Sequence, residues 1–186
     1  MVEVLLRLPR CFHVYMGALV RFPLFGEVTV RDFVWNLCNG TLYYDRKILC
    51  PCGKIRNTEH ILFSCSRLKN IRDWFSTITQ LTSADVAGEW NEKNIFQILE
   101  NPSSSSLSVA LYISLLKSLW VSRDAPTPSK NIFKETLQSI MISEWYFSNY
   151  HPDYKFIPYD LKKRFYVTWD SLFKLTKTKI PVLKNW

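Results

Sequence analysis

Apolar residues recur at intervals of three and four along most of the chain, which is the spacing of an α-helix that buries one face. The most hydrophobic helix candidate, Leu107 to Arg123, is apolar on more than one face, as expected for a helix at the centre of a core. The prolines of the sequence DAPTPS follow it and cannot continue a helix. The pattern therefore predicts a mainly α protein built as a helical assembly. Helices are predicted over residues 30–38, 66–81, 91–99, 107–123, 131–150 and 160–179.

Length and composition exclude several classes of protein. A chain of 186 residues fits one domain or two. It has only 5 glycines, which argues against Gly-rich phosphate loops, nucleophile elbows and dinucleotide-binding turns. The most apolar stretch, Cys11 to Val20, is bounded by arginines and is about half as long as the roughly twenty residues that span a bilayer. We therefore expect an intracellular protein, nuclear or cytoplasmic, with no membrane partner.

The net charge of +8 is concentrated in two segments. Residues 45–72 hold seven basic and two acidic side chains, and residues 155–186 hold eight basic and two acidic. The segment between them, residues 73–154, is net acidic. A basic segment attracts polyanions and gives salt-dependent binding to phosphates, although solvated surface lysines produce the same pattern.

The chain has five cysteines, and three of them lie within one stretch of sixteen residues inside the first basic segment. The segment CPCGKIRNTEHILFSC contains Cys50, Cys52, His60 and Cys65 in the spacing C-x-C-x7-H-x4-C. In an intracellular protein such clustering indicates a metal site before a disulfide. Three thiolates and one imidazole match a structural zinc ion, and four protein ligands leave no position for a catalytic water. Cys11 and Cys38 have no such partners nearby in the sequence and are predicted to be core thiols.

The residues between the ligands suit a turn followed by a helix. Pro51 fixes φ between the first two cysteines, and Gly53 can adopt a positive φ that directs backbone N–H groups at the sulfurs. Asn57 or Thr58 can cap a short helix that carries His60. The sequence thus predicts a small zinc-binding turn–helix element within the helical assembly.

Four regions follow from these patterns. Residues 1–29 form an N-terminal segment to which the pattern assigns no role, and residues 30–81 form the predicted zinc-binding domain. Residues 82–106 are a loop-rich linker that contains the run NPSSSS. Residues 107–186 form a C-terminal helical region.

The segment from Val30 to Phe75 resembles the zinc-binding domain that lies C-terminal to the reverse transcriptase in non-LTR retrotransposons. The stretch LYISLLKSLWVSRD also resembles the apolar helix with a Trp-x-x-Arg ending that often follows this domain. The residues that carry the resemblance are Phe33, Trp35, Leu42, Cys50-Pro51-Cys52-Gly53, Thr58-Glu59-His60, Ile61-Leu62-Phe63, Cys65 and Trp74. The single residue between Cys50 and Cys52 departs from the commonest pattern of the family.

The resemblance implies a domain that helps its parent protein bind template RNA or target DNA. The chain has no paired-aspartate polymerase motif, so it is similar to a detached C-terminal fragment. Independently of the family, Tyr43 and Tyr44 could stack on unpaired bases. Basic residues around the cysteines could reach phosphates and form the candidate nucleic-acid interface: Lys47, Lys54, Arg56, Arg67, Lys69 and Arg72.

Two other functions remain open at this point. The first is a protein-interaction module in which zinc holds a helical scaffold and the aromatic helices dock a partner, or a relic with no activity. The second is a metal-dependent endonuclease, since Pro152-Asp153 is followed by Asp160-Leu161-Lys162. The second match is short and lies in a helical context, and no hydrolytic serine motif is present in the sequence. We therefore predict a nucleic-acid-binding protein that is not an enzyme.

Overall fold

The computed structural model describes residues 33–34, 36–37, 49–80, 89–101, 104–127, 129–150, 169–170, 172–178 and 181–184. Within these residues the architecture is mainly α, as predicted. The principal elements are α1 (Lys69–Gln80), α2 (Glu92–Glu100), α3 (Ser106–Val121), α4 (Asn131–Tyr150), β1 (Phe173–Leu175) and β2 (Pro181–Leu183). A π-helical turn at His60–Ser64 and 3-10 turns at Ser66–Leu68 and Ser122–Asp124 join them.

Helix α3 occupies the centre of the molecule, as its apolar pattern predicts. Leu111 and Leu115 lie on one face of this helix and Tyr112 lies on another, and all three are buried. The helix packs against α1, α2, α4 and the π-helical turn. Ser105 caps its first turn, because the Ser105 side chain accepts a hydrogen bond from the backbone N–H of Ser108 at 3.0 Å.

The predicted helices at residues 66–81, 91–99 and 131–150 are confirmed to within a few residues at their ends. Ser66–Leu68 form a 3-10 turn that leads into α1. Of the predicted helix at residues 30–38, the described members Phe33, Val34, Asn36 and Leu37 are helical.

The prediction of one helix over residues 160–179 is wrong at its C-terminal end. Phe173–Leu175 is a β-strand that pairs antiparallel with β2, placing Phe173 opposite Leu183. Residues 177–178 form a turn, and Pro181 cannot continue a helix, so the chain reverses direction after Leu175. Gln138 of α4 also anchors the hairpin, since its Oε1 accepts a hydrogen bond from the N–H of Leu183 at 2.7 Å. This contact joins residues 45 apart in sequence, so local periodicity carries no sign of it.

The metal-binding and C-terminal regions predicted from sequence contribute to a single hydrophobic core. Ile61, Leu62 and Leu68 belong to the same buried cluster as Leu111 and Phe133. Among the described helices, none is long and apolar enough to cross a membrane.

Some sequence predictions fall outside the described residues. They concern the segment 1–29, Cys11, Cys38, Lys47, the pair Tyr43 and Tyr44, the loop at 82–88, residues 160–168, and the nuclease-like residues Pro152, Asp153, Asp160 and Lys162.

Candidate metal centre

The four predicted ligand residues converge on one point. The ligand atoms of Cys50, Cys52, His60 and Cys65 all lie within 4.8 Å of one another. The Sγ atoms of Cys50 and Cys65 are 3.7 Å apart, and Cys52 Sγ is 3.1 Å from His60 Nε2. Thiolates about 2.3 Å from a tetrahedral ion have sulfur–sulfur separations of about 3.8 Å. The cluster therefore has the donor set and the dimensions to hold a metal ion.

The first two cysteines lie on a tight hairpin turn. The N–H of Gly53 donates to the carbonyl of Cys50 at 2.8 Å, and the N–H of Cys50 donates to the carbonyl of Lys54 at 2.9 Å. Pro51 and Gly53 hold the second and fourth positions of this turn, where proline and glycine are favoured. Gly53 has a φ of 87°, a left-handed value that the sequence analysis anticipated. The turn brings both sulfurs to one side although only one residue separates them.

The other two ligands flank the π-helical turn. Asn57 caps the start of this segment, because its Oδ1 accepts a hydrogen bond from the N–H of His60 at 2.6 Å. His60 begins the π-helical turn, and Cys65 follows it in extended conformation. A π-helical turn is wider than an α-helical one and often occurs at a functional site. Here the ligand atoms of His60 and Cys65, at the start and just after the end of the turn, lie within 4.8 Å of each other.

Neighbouring polar groups orient the ligands. The Nδ1 of His60 is 3.2 Å from Ser64 Oγ, so Nδ1 carries the proton when Nε2 faces the three sulfurs. The guanidinium of Arg72 donates from Nη2 to the backbone carbonyl of Cys65 at 2.7 Å. Three thiolates around a divalent ion leave one net negative charge, which the cation of Arg72 offsets.

Burial controls the protonation of the ligands. It raises the pKa of the Cys50 thiol to about 11 against the opposing effect of the Cys52 N–H group. Burial also acts to raise the pKa of the Cys52 thiol, but hydrogen bonds from the backbone N–H of Lys54 and from the thiols of Cys50 and Cys65 outweigh it and lower this pKa. The pKa of His60 is lowered by burial and by the charges of Lys54 and Arg72, so its imidazole is neutral and ready to bind at neutral pH. Metal binding must displace the thiol protons, which makes it weaker in acid.

The site is largely shielded from solvent. Cys50, His60 and Cys65 are buried, and Cys52 is half-buried. Four protein donors would fill all four positions of a tetrahedral ion, which is the arrangement of a closed site.

Two of the predicted phosphate-binding arginines lie in internal contacts. Arg56 has only 4% of its side chain exposed, and its two terminal nitrogens donate to the two carboxylate oxygens of Asp124 at 2.8 and 2.7 Å. Arg67 donates from Nη2 to the carbonyl of Ala125 at 2.7 Å. Both arginines therefore fasten the metal-site segment to the turn that follows α3.

The remaining predicted cations divide between core and surface. Arg72 is half-buried beside Cys65. Lys54 and Lys69 are exposed, and Lys69 forms an ion pair with Asp73 one turn along α1. Of the candidate interface, these two lysines present their charges to solvent within the part of the chain that the structure describes.

Three residues that support the site were not singled out from the sequence. Asp124 pairs with Arg56, Ser64 contacts His60, and the indole N–H of Trp90 donates to the carbonyl of Leu62 at 3.1 Å. Ser64 lies at i+4 from His60, the spacing of neighbours on a helix, so the sequence did offer a signal for it. Asp124 is 68 residues from Arg56 and Trp90 is 28 residues from Leu62, so the sequence around each residue could not predict these contacts.

The comparisons with known proteins do not assign the chain to a family. No protein-family model matches it, and searches of curated proteins and of solved structures found no significant match.

Proposed function

We propose that the cluster binds one zinc ion and that this ion is structural. The observation that carries the proposal is the convergence of three sulfurs and an imidazole nitrogen within 4.8 Å. Zinc favours this soft tetrahedral set, whereas magnesium and calcium require oxygen donors. Cys50 and Cys52 hold the ion from the turn, and His60 and Cys65 hold it from the far side. Through its coordination bonds the ion links the hairpin turn to the π-helical turn, two short segments that have little regular structure of their own.

The metal content of the purified protein tests this proposal. Wild-type protein should carry about one zinc per chain by elemental analysis, and Cys52→Ser or His60→Ala should lose it and unfold at a lower temperature. A structural zinc contributes on the order of 10 kcal/mol of apparent binding free energy, so chelation should have the same effect on the wild type. Cys38→Ser, outside the spacing pattern, is the matched control and should keep its zinc. Soluble, folded wild-type protein without zinc would contradict the proposal.

We propose further that the protein binds RNA or single-stranded DNA around this site. The chain has a net charge of +8, and Lys54 is exposed within the metal-ligand segment while Lys69 is exposed just after it. The resemblance of residues 30–75 to a retrotransposon zinc-binding domain favours a nucleic-acid ligand and an origin in such an element. No reaction is part of this proposal. Reverse-transcriptase remnants upstream of the coding sequence would support the origin.

The salt dependence of binding tests the role of the two lysines. Lys54→Gln/Lys69→Gln should weaken binding to a labelled single-stranded oligonucleotide and reduce the slope of log K against log salt by about 0.7 for each lost phosphate contact. Arg56 and Arg67 are left intact, because their removal would disturb the fold. Lys93→Gln/Lys174→Gln removes the same charge from exposed positions elsewhere and should have little effect. The absence of any binding by the wild type at low salt would overturn the proposal.

A further inference from the structure

The hairpin turn of the metal site carries two large apolar side chains in solvent. Leu49 is 58% exposed and Ile55 is 67% exposed. The two residues are partners in an antiparallel bridge, so their side chains lie next to each other on one face. Lys54 precedes Ile55 and is also exposed. We call Leu49, Lys54 and Ile55 the hairpin tip.

The hairpin tip is held in a fixed shape. Two backbone hydrogen bonds close the turn between Cys50 and Lys54, and the positive φ of Gly53 sets its path. Two of the four metal ligands lie between the bridged residues. A rigid apolar pair loses little conformational entropy on binding, so its exposure favours contact with a ligand.

The chemistry of the tip fits a nucleic-acid strand better than a protein surface. A stable protein interface buries about 800 Å² on each partner, far more than two aliphatic side chains provide. A nucleotide strand alternates apolar base faces with anionic phosphates, and the tip carries an exposed cation, Lys54, next in sequence to one of its two exposed apolar residues. No acidic residue lies between Leu49 and Asn57 that would repel a phosphate, and the nearest one along the chain, Glu59, follows this segment.

We propose that the hairpin tip contacts single-stranded nucleic acid, with Leu49 and Ile55 against unstacked bases and Lys54 at a phosphate. This inference rests on the proposed nucleic-acid binding and adds a preference for single strands. In a duplex the base faces are stacked on one another, so the apolar pair finds no surface to contact. The lysine contact makes binding salt-dependent, whereas the apolar contact does not.

One variant separates the preference for single-stranded over duplex nucleic acid from the contribution of charge to binding. Leu49→Ser/Ile55→Ser removes the apolar pair and leaves every charge and metal ligand in place. Fluorescence anisotropy is measured with a labelled single strand of about twelve nucleotides and with a duplex of equal length. We expect the variant to bind the single strand at least about fivefold more weakly, with an unchanged salt slope and unchanged affinity for the duplex. Val121→Ser/Leu175→Ser, which alters two exposed apolar residues elsewhere, is the matched control and should bind as the wild type does.

The outcomes distinguish this inference from the proposal beneath it. Zinc content and thermal unfolding first establish that both variants are folded. Wild-type protein that binds neither probe overturns nucleic-acid binding and the inference with it. Wild-type binding that the serine variant retains in full overturns the inference alone. Equal losses of affinity for the single strand and the duplex contradict the base contact. If the wild type is a dimer, and the serine variant is a monomer that binds the oligonucleotide as well as the wild type does, the tip serves self-association instead.

Discussion

The placement of Arg56 shows how a cation near the cysteines can serve the fold. Its position in the first basic segment predicted a phosphate contact, yet its guanidinium is buried against the carboxylate of Asp124. A count of charges along a sequence carries no information about the direction in which each side chain points. Lys54 and Lys69 of the same segment are exposed to solvent, as the long and strongly hydrated lysine side chain favours.

The Arg56–Asp124 pair predicts unequal effects for its two members. Asp124→Asn should cost about 3 kcal/mol in the free energy of unfolding, because it leaves a buried guanidinium without its counter-charge. Arg56→Gln should cost less, since Asp124 is 36% exposed and water can solvate its carboxylate. Chemical unfolding of the zinc-loaded single and double variants measures both costs and their coupling. Equal effects below about 0.5 kcal/mol would show that the pair contributes little.

At the scale of elements, the ligand spacing was the most informative feature of the sequence. Gly53 and Asn57 take up the turn and cap roles predicted for them, and the four ligand atoms meet. These features depend on residues within a few positions of each other, so local sequence suffices to predict them. The β1–β2 hairpin depends on packing against α4, and the sequence pattern suggested a helix there instead.

Gly53 offers a test of the turn itself. Gly53→Ala should destabilise the protein by about 1–2 kcal/mol and weaken zinc binding, because a residue with a Cβ is strained at a φ of 87°. A Cβ at this position would meet no heavy atom within 4 Å, so backbone strain is the cause and not a clash. Gly53→Asn should recover part of the loss, since asparagine tolerates the left-handed region. Thermal unfolding and competition with a zinc chelator measure the two effects, and identical behaviour of the alanine and asparagine variants would contradict this explanation.

At the scale of the whole molecule, the periodicity of α3 predicted its central place and the mainly α class. It could not predict how the metal site attaches to the helices. Arg56 and Arg67 both reach the turn after α3, and Trp90 contacts the turn that carries His60. These attachments join distant parts of the chain through a few polar contacts, which the spacing of apolar residues cannot predict.

The attachment of Arg56 to Asp124 has a practical consequence for anyone who excises the metal-ligand segment. A peptide that ends with α1 would contain all four ligands but would lack the carboxylate that neutralises its buried arginine. It would also expose Ile61, Leu62 and Leu68 to water. The smallest fragment that contains all four ligands is therefore shorter than the smallest fragment that we expect to fold on its own. The second fragment extends past Asp124.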